Sequence, residues 1–303
     1  MNRVLKAGVI GAGVFGGYHA RQWAGRPDID FVGVYDTHPD RAEKLAGQFG
    51  CSAFADQADL LAAVDVVSIC SPASAHGAGA MAALRAGAAI YVEKPLATDL
   101  ETADRIAAEA AGRGLVVACG FLERAAARAL GLFDLPRPPL RIEARRFGLP
   151  SPRNLDVSVV LDLMIHDLDL ALCLARSAPF AVEAEGEHDA EGRLNAVNAD
   201  ILFEDGLTAT LVCSRVSSTR ERALRLVYRE GEIAVDLLNG AVSNTTPYSL
   251  DPARMSEAQD PLGASLAAFI AAVRGERPAP LADAADGVRA LDLALAVERA
   301  VGG

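Results

Sequence analysis

Cysteine is sparse in this 303-residue chain. Cys51, Cys70, Cys119, Cys173 and Cys213 lie far apart, and no two form a C-x-x-C pair. Neither a zinc site nor a disulfide framework is expected, no metal is expected, and a reducing compartment fits best. Basic charge is also in deficit: 29 Lys and Arg stand against 40 Asp and Glu, a net charge of −11. Such a surface repels phosphate backbones and anionic headgroups, so no nucleic acid is expected as a partner. An anionic small molecule remains compatible, because a local cluster of backbone N–H groups or arginines outweighs a diffuse negative field. Long apolar runs are missing as well. Arg85 and Asp162 interrupt the best candidates before they reach the roughly 18 residues of a spanning helix, so no membrane partner is expected. The opening run MNRVLKAGVIGAG is too short for a secretory leader. Internal repeats are absent. These absences predict a soluble, cytoplasmic protein.

What is present is a globular composition, 51% hydrophobic and 23% charged, in a chain long enough for two domains. From residue 3 to about 122, short β-branched runs at 3–10, 31–36, 65–70, 88–93 and 115–120 alternate with Ala/Leu-rich segments at 14–25, 39–49, 74–87 and 99–113. This is the pattern of βαβ units, and predicts a doubly wound parallel sheet over residues 1–122. Beyond the rigid LPRPPL connector at 135–140 come LRIEARRF, ADILFED, LTATLVCS and ALRLVYR. Their alternation predicts an α+β domain over 123–303, built on an open, mainly antiparallel sheet with one wet face. A helix at about 160–175 interrupts these strands, and amphipathic segments at 262–274 and 283–300, joined by RPAP at 277–280, close the chain.

Gly11, Gly13 and Gly16 form G-A-G-V-F-G, with Val14 and Phe15 between the last two, directly after one predicted strand and before a predicted helix. The first glycine permits a tight turn, the second lets a pyrophosphate approach the backbone, and the third lets helix and strand pack closely. Asp36 closes the second strand, twenty residues after Gly16, where a carboxylate accepts hydrogen bonds from the adenosine ribose. That carboxylate repels a 2′-phosphate, so NAD is favoured over NADP. Arg41 follows five residues later and can pair with such a phosphate, which keeps NADP open.

Two further segments carry chemistry. Y-V-E-K-P-L-A, residues 91–97, puts Glu93 and Lys94 at the carboxyl end of a predicted parallel strand, where open sheets bind ligands. Pro95 biases Lys94 away from helical geometry. The segment 159–174 is apolar nearly all round except for Asp162, His166, Asp167 and Asp169, so the helix should be buried. Asp162 and His166 are four apart and share a face with Asp169. A lysine after a strand is ordinarily a solvated charge, and a buried His near an Asp is ordinarily a core pair. The residues alone leave both readings open.

Taken together, G-A-G-V-F-G, Asp36, S-P-A-S-A-H at 71–76, E-K-P and D-x-x-x-H resemble the glucose-fructose oxidoreductase, inositol dehydrogenase and rhizopine catabolism (Gfo/Idh/MocA) family along essentially the whole chain. The resemblance implies a Rossmann domain, NAD(P), an open antiparallel sheet in the second domain, and homodimers or homotetramers formed through that sheet. Residue by residue, it makes Lys94 and His166 catalytic and gives Asp162 a substrate-contacting or histidine-orienting role. It places Ser71, Pro72, His76 and Glu93 beside the cofactor. D-L-M-I-H-D-L-D with G-F-L-E-R at 120–124 is similar to the branch that oxidises the 3-hydroxyl of UDP-N-acetylglucosamine, although Ala125, Ala126 and Ala127 stand where that branch has Phe-Asn-Pro.

The expected activity is oxidation of a sugar, nucleotide-sugar or polyol secondary hydroxyl, with hydride passing to the nicotinamide and a protein base taking the hydroxyl proton. Either Lys94 or His166 fits as that base. Two other readings of the same motifs stand beside it: an NAD-using glycosidase on the same scaffold, and a non-catalytic NAD-binding subunit.

Overall fold

A computed structural model of the chain describes residues 3–151, 155–276 and 281–302; the RPAP loop at 277–280 lies outside them. The chain divides into two units, residues 1–120 with 262–288, and residues 121–261 with 289–303.

Among the described residues, the first unit holds a six-stranded sheet made of β1 (Leu5–Ile10), β2 (Ile29–Tyr35), β3 (Ser52–Phe54), β4 (Val66–Ile69), β5 (Ala89–Val92) and β6 (Val117–Cys119). All neighbours pair in parallel. β4 and β5 are buried at every position, which is why they read as apolar runs broken only by Ser68 rather than as alternating ones. The connecting helices are α1 (Val14–Ala24), α2 (Pro39–Phe49), α3 (Gln57–Ala63), α4 (Ala73–Ala86) and α5 (Leu100–Arg113). Local chemistry sets their ends. Asp56 and Asp99 cap α3 and α5 by accepting from the Ala58 and Thr102 amides at 2.8 Å, and left-handed Gly50, Gly87 and Gly114 terminate α2, α4 and α5. The strand order is β3-β2-β1-β4-β5-β6. It reverses between β1 and β4, and ligands bind at such a switch point, beyond the carboxyl ends of the strands.

The second unit begins with α6 (Glu123–Ala129) and holds a seven-stranded sheet: β7 (Arg141–Phe147), β8 (Pro179–His188), β9 (Leu194–Phe203), β10 (Thr208–Ser214), β11 (Glu221–Tyr228), β12 (Gly231–Asp236) and β13 (Val242–Asn244). Its order is β13-β12-β11-β7-β10-β9-β8, antiparallel throughout except for the parallel β7–β10 pair. Ile142, Ala144, Leu211, Leu224 and Leu226 point to the core, while Glu143, Arg145, Thr210 and Arg225 line the opposite face. Between β7 and β8 lies α7 (Ile165–Ala175), entered through a π-helical turn at Val160–Met164.

Helix α8 (Pro261–Val273) and the segment after it return to the first unit. Tyr91 Oη lies 2.9 Å from Ser265 Oγ, Arg274 pairs with Asp28 at 2.7 Å, and the Cys119 amide donates to the Ala282 carbonyl at 2.8 Å. That last bond covers the β6 edge, which would otherwise present unpaired backbone groups. Helix α9 (Ala284–Gly302) starts in the first unit and continues in the second.

Candidate active site

At the end of β1, Gly11 has φ +97°, and a Cβ there would lie 2.6 Å from backbone atoms of Cys70 and Ser71. A Cβ on Gly16 would lie 1.8 Å from the Gly11 carbonyl oxygen, so α1 packs on the turn with no room for a side chain. Gly13 differs: a Cβ there meets nothing within 4 Å. The protein therefore leaves open the space that a pyrophosphate needs beside the second glycine. Val14 and Phe15, the first residues of α1, are 50% and 38% exposed beside this space. Asp36 follows β2 with both oxygens engaged: the Ala12 amide donates to Oδ2 at 2.7 Å and the His38 amide to Oδ1 at 2.8 Å. The carboxylate thus locks the glycine turn, and its remaining lone pairs can accept from a ribose. Arg41 is exposed in the first turn of α2.

Beyond β4, the Ser71 hydroxyl is buried and has no hydrogen-bond partner among the described residues. An orphaned hydroxyl at the switch point is a group awaiting a ligand or water. Pro72 caps α4. His76, in the first turn of α4, is buried with Nδ1 2.6 Å from the Pro95 carbonyl and Nε2 2.9 Å from that of Ser71, and a neutral ring donates to one of the two. Burial pulls its pKa below the ordinary histidine value, against the pull of those two carbonyl oxygens. Lys94 is half-buried two residues past the end of β5, joined to Pro95 by a cis peptide, and Glu93 before it is buried. The open cradle at Gly13, the tethered Asp36 and the orphaned Ser71 hydroxyl fit a dinucleotide.

In the second unit, Ser158 caps the π-helical turn: the Val160 and Leu161 amides donate to its Oγ at 3.1 and 3.2 Å, and the hydroxyl in turn donates to Glu298. The Ile165 amide reaches back five residues to the Val160 carbonyl, the widened spacing that recurs at functional sites. Asp162 lies in this turn, 9% exposed, and His166 follows in the first turn of α7, half-buried, its ring edge-on to Phe121 at 6.3 Å. Arg215 is buried; burial lowers its pKa while the Asp162 charge raises it.

Asp167 and Asp169, which follow His166 on α7, and Glu123 on α6 have partners that spacing did not reveal. Arg124 grips Asp169 with two hydrogen bonds, the Nε contact at 2.7 Å. Arg146 grips Asp167 at 2.9 and 2.8 Å and also donates to Glu123 at 2.8 Å. Burial opposes the Arg146 charge, yet the Asp167 and Glu123 carboxylates hold the guanidinium above its ordinary range. Burial, helped by the Glu123 charge, holds the Asp167 carboxyl above the usual carboxylate range against the pull of Arg146. Glu123 and Arg124 of G-F-L-E-R are thus engaged within this unit, and α7 is held by two bidentate pairs, at Asp167 and Asp169, on either side of Leu168. Ala125, Ala126 and Ala127 continue α6, which a proline in their place would interrupt.

A glycine turn at the switch point of a parallel sheet, with an acid tethered to that turn, is the arrangement of a dinucleotide-binding domain. Comparison with known proteins agrees. The chain matches the family model described as oxidoreductase family, NAD-binding Rossmann fold, over residues 5–121, and the GFO/IDH/MocA C-terminal domain over 137–234. It is similar to UDP-N-acetylglucosamine 3-dehydrogenase of Acidithiobacillus ferrooxidans, 35% identical over 98% of this chain and 97% of that one. A solved structure of that enzyme superposes with a TM-score of 0.89 at 34% identity, covering 99% of this chain and 98% of that one. Inositol 2-dehydrogenase of Rhizobium meliloti is 30% identical over 59% of this chain and 58% of its own length. The chain belongs to the Gfo/Idh/MocA family of oxidoreductases, and its cofactor is NAD. Among the described residues no helix is long and apolar enough to cross a membrane.

Proposed function

We propose that the protein reversibly oxidises the 3-hydroxyl of UDP-N-acetylglucosamine or a close nucleotide-sugar analogue. The observation that carries this reading is full-length similarity to an enzyme of that name, spanning both units. NAD, when bound, accepts the hydride; the protein's own residues hold the reactants and manage the proton. Gly11, Gly13 and Gly16 shape the cradle for the pyrophosphate, Asp36 accepts from the ribose, and Arg41 lies near that end. Val14, Phe15, Ser71, Pro72, His76 and Glu93 form the remaining surroundings of the cofactor. Lys94 and His166 take and return the hydroxyl proton, and Asp162 orients the imidazole or contacts the sugar. An imidazole suits a reversible proton transfer, since the group titrates near neutrality without tuning.

The open face of the seven-stranded sheet carries this proposal to assembly. Its cavity of about 850 Å³ is lined by Val212, Ala223 and Ala234 among charged residues such as Arg145 and Arg225. We assign it to a homodimer or homotetramer contact, which light scattering would register as a mass of two or four chains. All five cysteines are thiols rather than disulfides, which supports a reducing cytoplasm as the working compartment.

An NADH-absorbance screen against nucleotide sugars and free polyols, run with NAD and NADP, tests the substrate. UDP-N-acetylglucosamine is expected to give the highest kcat/KM, with NAD preferred. Turnover of free inositols alone would overturn the substrate, and binding of NADPH tenfold tighter than NADH, a gap of about 1.4 kcal/mol, would overturn the NAD preference.

A further inference from the structure

A line of buried polar groups that the glycine turn does not use runs from α1 through β4 to the residue after β5. His19, Ser68 and Trp23 are each 0% exposed, and Glu93 is 7% exposed. Trp23 Nε1 lies 2.9 Å from Ser68 Oγ, Ser68 Oγ lies 2.9 Å from His19 Nδ1, and His19 Nε2 lies 2.9 Å from Glu93 Oε1. The indole, which only donates, and the ionised carboxylate, which only accepts, set the direction at the two ends of the line. An indole only donates, so Ser68 Oγ accepts from Trp23 and its own hydrogen is left for His19 Nδ1. A ring that accepts at Nδ1 carries its proton on Nε2 and donates it to Glu93. Every hydrogen on the line then has an acceptor. The other neutral tautomer would set a bare Nε2 against the carboxylate, and low local dielectric makes that mismatch expensive.

Glu93 is confined from the other side as well. A Cβ on Gly120 would lie 2.9 Å from its Oε2, so the carboxylate packs on bare backbone at the end of β6. A buried carboxylate held this closely is strongly disfavoured without a donor, and His19 supplies one. Glu93 is followed at once by Lys94. The same helix begins at Gly13, so the line joins the cofactor turn to the end of β5.

We propose that His19 is a positioning residue for the reaction: by donating Nε2–H to Glu93 it fixes the turn from which Lys94 projects. The inference rests on the assignment of Lys94 to the reacting proton. His19 acts through Glu93 and touches no reactant.

The test compares two substitutions in the full chain, assayed at saturating NAD with UDP-N-acetylglucosamine. His19→Gln ends in an amide nitrogen at the reach of Nε2 and keeps a donor for Glu93, whereas His19→Asn stops at the reach of Nδ1 and leaves Glu93 without one. His19→Asn is expected to lower kcat at least about tenfold, within the range of an acid–base contribution. KM for the sugar and Kd for NAD should stay within about threefold of the unmodified protein, and His19→Gln should recover most of the loss. A merely structural ring would be missed equally by both variants, so equal losses of kcat would overturn the proposal. Imidazole nitrogen NMR of the unmodified NAD complex provides a readout that needs no variant to fold. A proton on Nε2 is expected, and a ring protonated at Nδ1 alone would overturn it. Lys94→Ala is the reference: near-normal turnover there would remove the Lys94 assignment, a result to which the NMR measurement is blind.

Discussion

A glycine turn is legible because its residues are neighbours. Gly11, Gly13, Gly16 and Asp36 declared themselves by spacing along one βαβ unit, and Gly13→Val follows from what the fold shows there. With no protein atom within 4 Å of the added Cβ, the variant should fold normally and lose NAD affinity, because the branched side chain takes the space of the pyrophosphate. Unchanged affinity by calorimetry would remove this turn from the site. Lys94→Ala and His166→Ala should each lower kcat by roughly 10²–10⁴-fold at saturating NAD, and the double variant should lose little more than the worse single one. Additive losses would mean that the two residues serve different steps. His76 adds a pH dependence. Because burial depresses its folded-state pKa from 6.5, the unfolded chain binds that proton more readily. Its stabilising contribution is complete above about pH 6.5 and is lost as pH falls below it. Thermal melts between about pH 7 and pH 5 should therefore show a steeper loss of Tm for the unmodified protein than for His76→Gln; identical slopes would contradict this. His19 was not legible at all, since its partners Ser68 and Glu93 are 49 and 74 residues away.

Helix α7 shows how far pattern reading reaches at the level of elements. An apolar run with acidic interruptions announced a buried helix, and the described chain has one, but its π-helical entry and the destinations of its carboxylates depend on distant residues. Asp167 finds Arg146 on β7, and Asp169 finds Arg124 on α6. Spacing put Asp169 on one face with Asp162 and His166, but it could not show that the carboxylate pairs with Arg124. The short β3 and α3 were also illegible, because a three-residue strand has no period to detect. The buried pairs yield a stability prediction. Arg124→Met should destabilise the protein by about 3–5 kcal/mol by stranding the Asp169 carboxylate, whereas Arg124→Met with Asp169→Leu should recover much of that loss. Urea denaturation distinguishes the two, and a single variant within about 1 kcal/mol of the unmodified protein would show that the pair is not holding α7.

Across the whole molecule, alternation of hydrophobic residues revealed a parallel sheet followed by an open antiparallel one. Both have real counterparts in the chain, down to the wet face lined by Glu143, Arg145 and Arg225. Chain order did not reveal that residues 262–288 return to the first unit. That return depends on tertiary contacts such as Tyr91 with Ser265 and Arg274 with Asp28, which no local pattern encodes. The family, and with it the NAD chemistry, followed from five short motifs in one order; the sugar rests on similarity along the full length. Hydride transfer from a defined carbon is the claim on which all of this converges, and isotope transfer measures it without relying on any variant. UDP-N-acetylglucosamine carrying deuterium at carbon 3 should be incubated with the protein and NAD, and the NADH formed analysed by mass spectrometry. The account predicts deuterium in the NADH and a 3-oxo sugar product. NADH free of deuterium, or free sugar released with no NADH, would contradict it.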